Sequence, residues 1–151
     1  MTFSNLRARL GRFPLSIIQL ALRVGVGAVF FRSGLLKLDS WQFTVQLFRD
    51  EYQVPLLDPV LAAQITTAVE LGVPPLLFVG LATRLATLPL LGMIAVIQFF
   101  VYPNAWSDHL LWAAALALVL TRGAGVLSLD HWIARARPVT RAPSHDAPAS
   151  P

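Results

Sequence analysis

The chain has 151 residues, of which 56% are hydrophobic and 13% are charged, and it contains no cysteine. Soluble domains carry about 25% charged residues, so this chain lacks the polar residues that a water-facing surface requires. The composition therefore excludes a free-standing soluble enzyme. The missing cysteines exclude disulfides, cysteine-ligated zinc, iron–sulfur clusters, thiol relays and covalently attached haem built from this chain alone.

Apolar stretches predict an all-α integral membrane protein with four transmembrane helices, at about 16–38, 59–81, 84–102 and 106–121. A bilayer core about 30 Å thick requires roughly 20 apolar residues per helix, and the fourth stretch is short but tolerable at about 24 Å. The first stretch is longer than the apolar core of a signal peptide and contains arginines, so we predict an uncleaved anchor. Short connections favour an up-down-up-down four-helix bundle.

The charged residues predict how the chain is oriented. Basic residues lie at one end of the predicted bundle (Arg7, Arg9, Arg12, Arg84, Arg122, Arg135, Arg137 and Arg141), and acidic residues lie at the other (Asp39, Asp50, Glu51, Asp58 and Asp108). The positive-inside rule then places both termini in the cytoplasm. Attraction to anionic lipid explains the basic residues, which form no patterned patch for nucleic acid. The predicted partner is therefore the lipid bilayer and not nucleic acid.

Three regions and two short interfacial helices complete the predicted organisation. A basic cytoplasmic tail spans 1–15, a membrane domain spans 16–133 and a disordered cytoplasmic tail spans 134–151. Residues 40–49 carry apolar side chains at helical spacing, which indicates an amphipathic helix on the outer surface. Ser128 is the expected N-cap of a second such helix on the inner surface.

Polar residues inside the second apolar stretch are the first candidate functional site. Glu70 lies at mid-span, and Gln64 and Thr67 precede it at intervals of three residues, so we expect a polar stripe facing the bundle interior. Pro74 removes the backbone hydrogen bond to the carbonyl of Glu70. Two interpretations remain open: a structural kink satisfied by a neighbouring helix, or a proton or ligand site.

Arg23 in the first span is the predicted partner of Glu70, because the two residues lie at similar depths and a charge-assisted pair lowers the cost of burying both. Arg23 also shares one helical face with Gly27, Phe30, Gly34 and Lys37. This face indicates close helix packing or a ligand surface. Arg32 lies on the opposite face and is expected to reach outward.

The remaining polar candidates lie in the third and fourth spans. Gln98 is expected to form one interhelical hydrogen bond, and His109 is a candidate ligand at the outer edge. No second histidine lies near His109 in the membrane, since His131 and His145 fall at the opposite face and in the tail. Neither a two-histidine haem nor a metal site is therefore predicted.

Short motifs in a fixed order resemble the DoxX family of small four-span bacterial membrane proteins. They are Arg23 and Gly27 followed by VFFRSGLLKL, then Glu70 followed by Gly80 and the pair Thr83–Arg84, then Gly92–Met93, then the closing RGAGVLSLDHW. The resemblance covers about residues 16–133. It implies a component of redox systems in the bacterial cytoplasmic (inner) membrane, and it draws attention to Arg23, Lys37 and Glu70 without assigning any residue a catalytic role.

The resemblance and the intramembrane polar residues together predict a membrane subunit of a quinone-linked or oxidative-stress system. Such a subunit binds quinone or docks a partner oxidoreductase, as a homo-oligomer or a hetero-complex, and is not a stand-alone enzyme. No covalently bound cofactor is expected, and quinone is the candidate. Two alternatives remain. The first is a small transporter or permease, which is supported by the proline-interrupted helix with an acidic residue at mid-span. The second is a scaffold or assembly factor in which the charged residues fix the register of the helices.

Overall fold

The computed structural model describes residues 14–136, and within that range every regular element is a helix. Four long helices dominate: α1 (Leu15–Asp39), α3 (Pro59–Val79), α4 (Thr83–Val96) and α5 (Trp106–Arg122). Nearly all of the two predicted tails, 1–15 and 134–151, lies outside the described residues.

Shorter helical elements join or extend the long ones. They are α2 (Trp41–Leu47) with a π-helical segment at Phe48–Tyr52, a second π-helical segment at Ile97–Val101 that continues α4, and α6 (Leu129–Ala136). A π-helix is rare and is found most often at functional sites. The predicted surface helices at 40–49 and after Ser128 correspond to α2 and α6.

The length and apolarity of the helices make this a membrane protein. Three helices are long and apolar enough to cross a bilayer, Leu15–Asp39, Pro59–Val79 and Thr83–Val101. The fourth, α5, has 17 residues. The outer surface of the four long helices is apolar, as Leu85, Leu111 and Phe99 are more than 60% exposed. Such extensive apolar exposure is typical of a surface that contacts lipid or a partner protein.

The four long helices pack in a ring around one apolar core. Helix α1 contacts α3 and α5, and α4 contacts the same two helices. Phe30, Leu77, Leu90 and Leu116 fill the centre, each less than 5% exposed. We call the end of this ring that carries α2 the α2 end, and the end that carries α6 the α6 end.

Helices α1 and α3 approach closely at two glycines. A Cβ added at Gly27 would lie 2.6 Å from Cε1 of Phe78, and one added at Gly34 would lie 2.8 Å from Cγ of Leu71. Both distances are shorter than any ordinary van der Waals contact, so only glycine allows this approach. The close-packing interpretation of this helix face is confirmed.

At the α6 end, Asp130 ties α6 to the turn between α3 and α4. The carboxylate accepts hydrogen bonds from the backbone N–H groups of Ala82 (2.7 Å) and Thr83 (2.9 Å). Burial alone would raise the pKa of Asp130, but the hydrogen bonds from Thr83 and Ala82 and the nearby Arg23 charge lower it overall. Ser128 accepts a hydrogen bond from the backbone N–H of His131 (3.2 Å), which confirms the predicted N-cap.

Candidate functional site

A cavity of about 470 Å³ lies between the four long helices towards the α2 end. Most of its wall is apolar, and α2 with its π-helical continuation contributes Phe48 and Tyr52. The polar residues that border it are Ser33, Lys37, Tyr52, Thr66, Glu70, Tyr102 and His109. An apolar cavity of this size with a few converging polar groups is the usual form of a small-molecule site, for which volumes of roughly 300–1,000 Å³ are typical.

Lys37 and Glu70 form a buried ion pair in the wall of this cavity. Nζ of Lys37 lies 2.7 Å from Oε2 and 2.9 Å from Oε1 of Glu70, and it also donates to Oγ of Ser33 at 2.8 Å. The Glu70 side chain is 3% exposed and the Lys37 side chain 15%. The pair is therefore largely removed from water, and each charge depends on the other for compensation.

The local structure of α1 explains how Lys37 reaches Glu70. Lys37 lies in the last turn of α1, and helical side chains tilt towards the N-terminus of their helix, which directs this one deeper into the bundle. Gly34 precedes Lys37 by about one turn of α1, and a Cβ added at Gly34 would lie 3.0 Å from Cβ of Glu70. The close approach of the two helices at Gly34 thus brings Glu70 within reach of Lys37.

The predicted pairing of Arg23 with Glu70 is wrong. Arg23 is fully buried near the α6 end, where Nη1 donates to the carbonyl of Leu77 (3.2 Å) and Nη2 to that of Leu127 (2.5 Å). Helix α3 ends just after Leu77, and carbonyls at a helix end lack intrahelical donors. Arg23 satisfies the carbonyls of Leu77 and Leu127, whereas Glu70 lies about two turns away from Leu77 along α3.

The predicted polar stripe along α3 is only partly correct. Gln64 is exposed and does not face the interior. Successive steps of three residues rotate around a helix, so that Gln64 and Glu70 are separated by about 120°. Thr67 is buried, but its hydroxyl donates to the carbonyl of Ala63 (2.7 Å), and the cavity is bordered instead by Thr66.

Gln98 and His109 join α4 to α5 beside the cavity. Oε1 of Gln98 lies 2.6 Å from Nδ1 of His109, and Nε2 of Gln98 donates to the carbonyl of Pro103 at 2.9 Å. The expected interhelical hydrogen bond of Gln98 is thus confirmed. His109 lies in the first turn of α5 at the α2 end and is 5% exposed, so its imidazole is buried between the helices. Within residues 14–136 no group of three or more potential metal-binding side chains is found.

Two tyrosines near the cavity were not identified as site residues from the sequence. The Tyr52 and Tyr102 rings pack edge to face with centroids 5.7 Å apart, and Oη of Tyr102 donates to Oε1 of Glu51 at 2.7 Å. Burial and the Glu51 carboxylate raise the pKa of Tyr102, so this hydroxyl remains a donor. Each tyrosine lies at the end of a π-helical segment, and no sequence pattern indicates a π-helix.

This arrangement can bind an uncharged, oxygen-bearing ring and exchange protons with it. Lys37 offers a cationic donor, Glu70 a carboxylate that can hold a proton, and His109 an imidazole, all along a wall that is otherwise apolar. In such a wall water competes weakly, so each of these interactions is stronger than in solution.

Comparisons with known proteins identify one family and two relatives. The family model described as DoxX matches residues 18–103. A Bacillus subtilis (strain 168) protein named "Putative oxidoreductase CatD" is 35% identical over 120 residues, which cover 76% of this chain and 85% of that protein. An uncharacterized Haemophilus influenzae protein is 29% identical over 129 residues, covering 79% of this chain and 85% of that protein. No solved structure matches the chain significantly.

Proposed function

This chain belongs to the DoxX family of small membrane proteins, and on that premise we propose that it is a membrane subunit of a redox system that binds a quinone in the cavity beside Lys37 and Glu70. The observation that carries the proposal is a buried acid–base pair in the wall of an apolar cavity. The name of the relative CatD, which describes an oxidoreductase, supports a redox role.

The residues around the cavity fit a quinone ring. A quinone head group is flat and apolar and carries carbonyl acceptors at its edge. Phe30 and Trp112 pack edge to face with ring centroids 5.8 Å apart, and both rings contribute to the apolar wall against which such a ring can pack. Lys37 supplies the donor: because Nζ contacts both oxygens of Glu70, it can turn one proton towards a ligand oxygen and keep the ion pair.

A bound quinone supplies reversible uptake of two electrons with two protons. The protein supplies binding and proton handling. Lys37 stabilises negative charge on a ligand oxygen, and Glu70 holds a proton at its carboxylate within reach of the same cavity. The apolar wall limits the access of water to these groups.

Electrons are exchanged with a partner oxidoreductase in this proposal. The chain has no cysteine for an iron–sulfur or thiol centre of its own. A small membrane protein with a ligand cavity and no cysteine fits the role of a docking and quinone-binding component. The proposal therefore includes assembly of the chain into a homo-oligomer or a hetero-complex.

The proposal includes four membrane crossings with both termini in the cytoplasm of a bacterial inner membrane. The α6 end carries Arg84, Arg122 and Arg135, whereas the α2 end carries acidic residues (Asp39, Asp50, Glu51, Asp58 and Asp108). Cytoplasmic ends of membrane helices are enriched in lysine and arginine, so the α6 end is assigned to the cytoplasm.

Quinone binding can be tested by tryptophan fluorescence, because Trp112 borders the cavity. We expect decylubiquinone to quench the fluorescence of the protein in dodecyl maltoside saturably. Thr66→Phe, which fills the cavity, should weaken binding at least tenfold. Thr121→Phe on the exposed surface near the α6 end is the matched control and should bind as the wild type does. Quenching that does not saturate, or that is equal in the Thr66 variant, would contradict the proposal.

A further inference from the structure

The hydrogen bonds of Gln98 determine which nitrogen of His109 carries the proton. The carbonyl of Pro103 can only accept, so the side-chain amide of Gln98 must direct its NH₂ group there, as the 2.9 Å contact shows. The amide oxygen then faces Nδ1 of His109 at 2.6 Å. An oxygen acceptor at that distance requires a proton on Nδ1. In the neutral imidazole, Nε2 is therefore unprotonated and can only accept.

The imidazole that carries this accepting nitrogen borders the cavity. His109 is 5% exposed and borders the cavity, whereas Gln98, which holds Nδ1, does not border it. Within residues 14–136, Nε2 has no hydrogen-bond partner. The neighbouring ring, that of Trp112, contacts the imidazole with centroids 5.6 Å apart and offers no charge. The edge of the imidazole that carries Nε2 thus remains available to a ligand.

Lys37 and His109 both border the cavity, and they offer the oxygens of a bound ring different chemistry. Lys37 donates to a ligand oxygen whether that oxygen is a carbonyl or a hydroxyl. Nε2 of His109 requires a ligand hydrogen, which a hydroxyl has and a carbonyl lacks. A carbonyl placed against Nε2 would leave two acceptors facing each other in a buried site, and unsatisfied buried polar groups are costly.

We propose that the cavity selects the hydroxyl-bearing, reduced form of its ligand, a hydroquinone rather than a quinone, with Nε2 of His109 as the acceptor of the ligand hydroxyl and Gln98 as the positioning residue that fixes the tautomer. This inference rests on the proposed function and deepens it. It assigns His109 a direct contact with the ligand. It also means that the subunit binds a hydroquinone in preference to the quinone.

The test compares the dissociation constants of decylubiquinol and decylubiquinone for the purified protein under anaerobic conditions. The wild type should bind the quinol roughly 3- to 10-fold more tightly, which is the effect of one additional buried hydrogen bond. His109→Phe should bring the ratio of the two constants close to one. Gln98→Leu should reduce it as well, because the ring is then free to adopt the other tautomer. Gln64→Leu, the same change at an exposed position, should leave the ratio unaltered.

A second measurement does not depend on the stability of any variant. Nitrogen-15 NMR of the wild type labelled at histidine distinguishes protonated from unprotonated ring nitrogens. Nδ1 of His109 should appear protonated and Nε2 unprotonated, and Nε2 should shift when the quinol is added. The opposite tautomer, or equal affinities for the two forms, would overturn the preference for the reduced form alone. Failure of both forms to bind the wild type would overturn the proposed function together with it.

Discussion

At the scale of single residues, the charges within the bundle form two separate centres. Lys37 compensates Glu70 beside the cavity, and Arg23 compensates carbonyls and faces Asp130 near the α6 end. The first centre borders a space that a ligand can enter. In the second, Arg23 donates to two backbone carbonyls and does not border the cavity, so we assign it a structural role. A single pair of Arg23 with Glu70 would have left Lys37 and the carbonyl of Leu77 without partners.

This division predicts strong coupling between Lys37 and Glu70. Lys37→Met leaves a buried carboxylate without its counter-ion, and Glu70→Gln leaves a buried ammonium, so each change should lower the free energy of unfolding by about 3 kcal/mol. The double variant removes both charges and should recover more than half of the summed loss. Unfolding by sodium dodecyl sulfate in mixed micelles measures these differences.

Arg32→Met is the matched control for that experiment, since Arg32 is an exposed charge on the same helix. It should change stability by less than about 0.5 kcal/mol. Losses that simply add in the double variant would show that the two residues act independently, contrary to the structure.

The sequence predicts three of the seven polar residues that border the cavity, Lys37, Glu70 and His109, but not the pairing of Lys37 with Glu70. Glu70 and Lys37 stand out because charges are rare in apolar spans. Arg23 is predicted as the partner of Glu70 because the α-carbons of the two residues lie at similar depths in the membrane. Such depths do not include the long side chain of Lys37, which tilts along α1 towards Glu70. They also do not include the carbonyls of Leu77 and Leu127, to which Arg23 donates instead. Tyr52 and Tyr102 could not be identified because their positions follow from two π-helical segments.

At the scale of helices, α1 and α3 form the central contact, and their apposition holds the ion pair. The bounds of the long helices agree with those predicted from apolar stretches to within two residues when the π-helical segment at Ile97–Val101 is counted with α4, because the apolar composition of a helix marks where it crosses lipid. Helix α3 ends earlier than predicted, at Val79, because Gly80 adopts a left-handed conformation (φ 71°). Composition does not specify how a helix is rotated about its axis. For this reason the predicted inward-facing position of Gln64 is wrong.

The α1–α3 contact predicts that two glycines of one helix respond differently to the same substitution. Gly34→Ala places a Cβ 2.8 Å from Leu71 and 3.0 Å from Glu70, so the helices must separate, at a cost of about 1–3 kcal/mol. Gly25→Ala meets no atom within 4 Å and should be neutral or stabilising by up to about 1 kcal/mol. Thermal unfolding in detergent compares them, and equal stability of the two variants would contradict the close approach described above.

At the scale of the whole molecule, the proposed topology requires α5 to cross the bilayer. Its 17 residues extend about 25 Å, a little less than the hydrocarbon core. Asp108 lies in its first turn and Arg122 in its last, which is the distribution expected of a crossing helix in the proposed orientation. Helix α5 also packs against both α1 and α4 along the ring. These features favour a fourth crossing.

Cysteine labelling tests this topology without background, because the chain has no cysteine. In intact spheroplasts an impermeant maleimide should label Leu57→Cys and Asn104→Cys, both exposed at the α2 end, and should label Ala134→Cys in α6 only after permeabilisation. The cysteine-free parent is the control and should remain unlabelled. Labelling of Ala134→Cys together with Asn104→Cys in intact cells would show that α5 does not cross. Protection of both positions at the α2 end would reverse the proposed orientation, since basic residues would then mark the outer face.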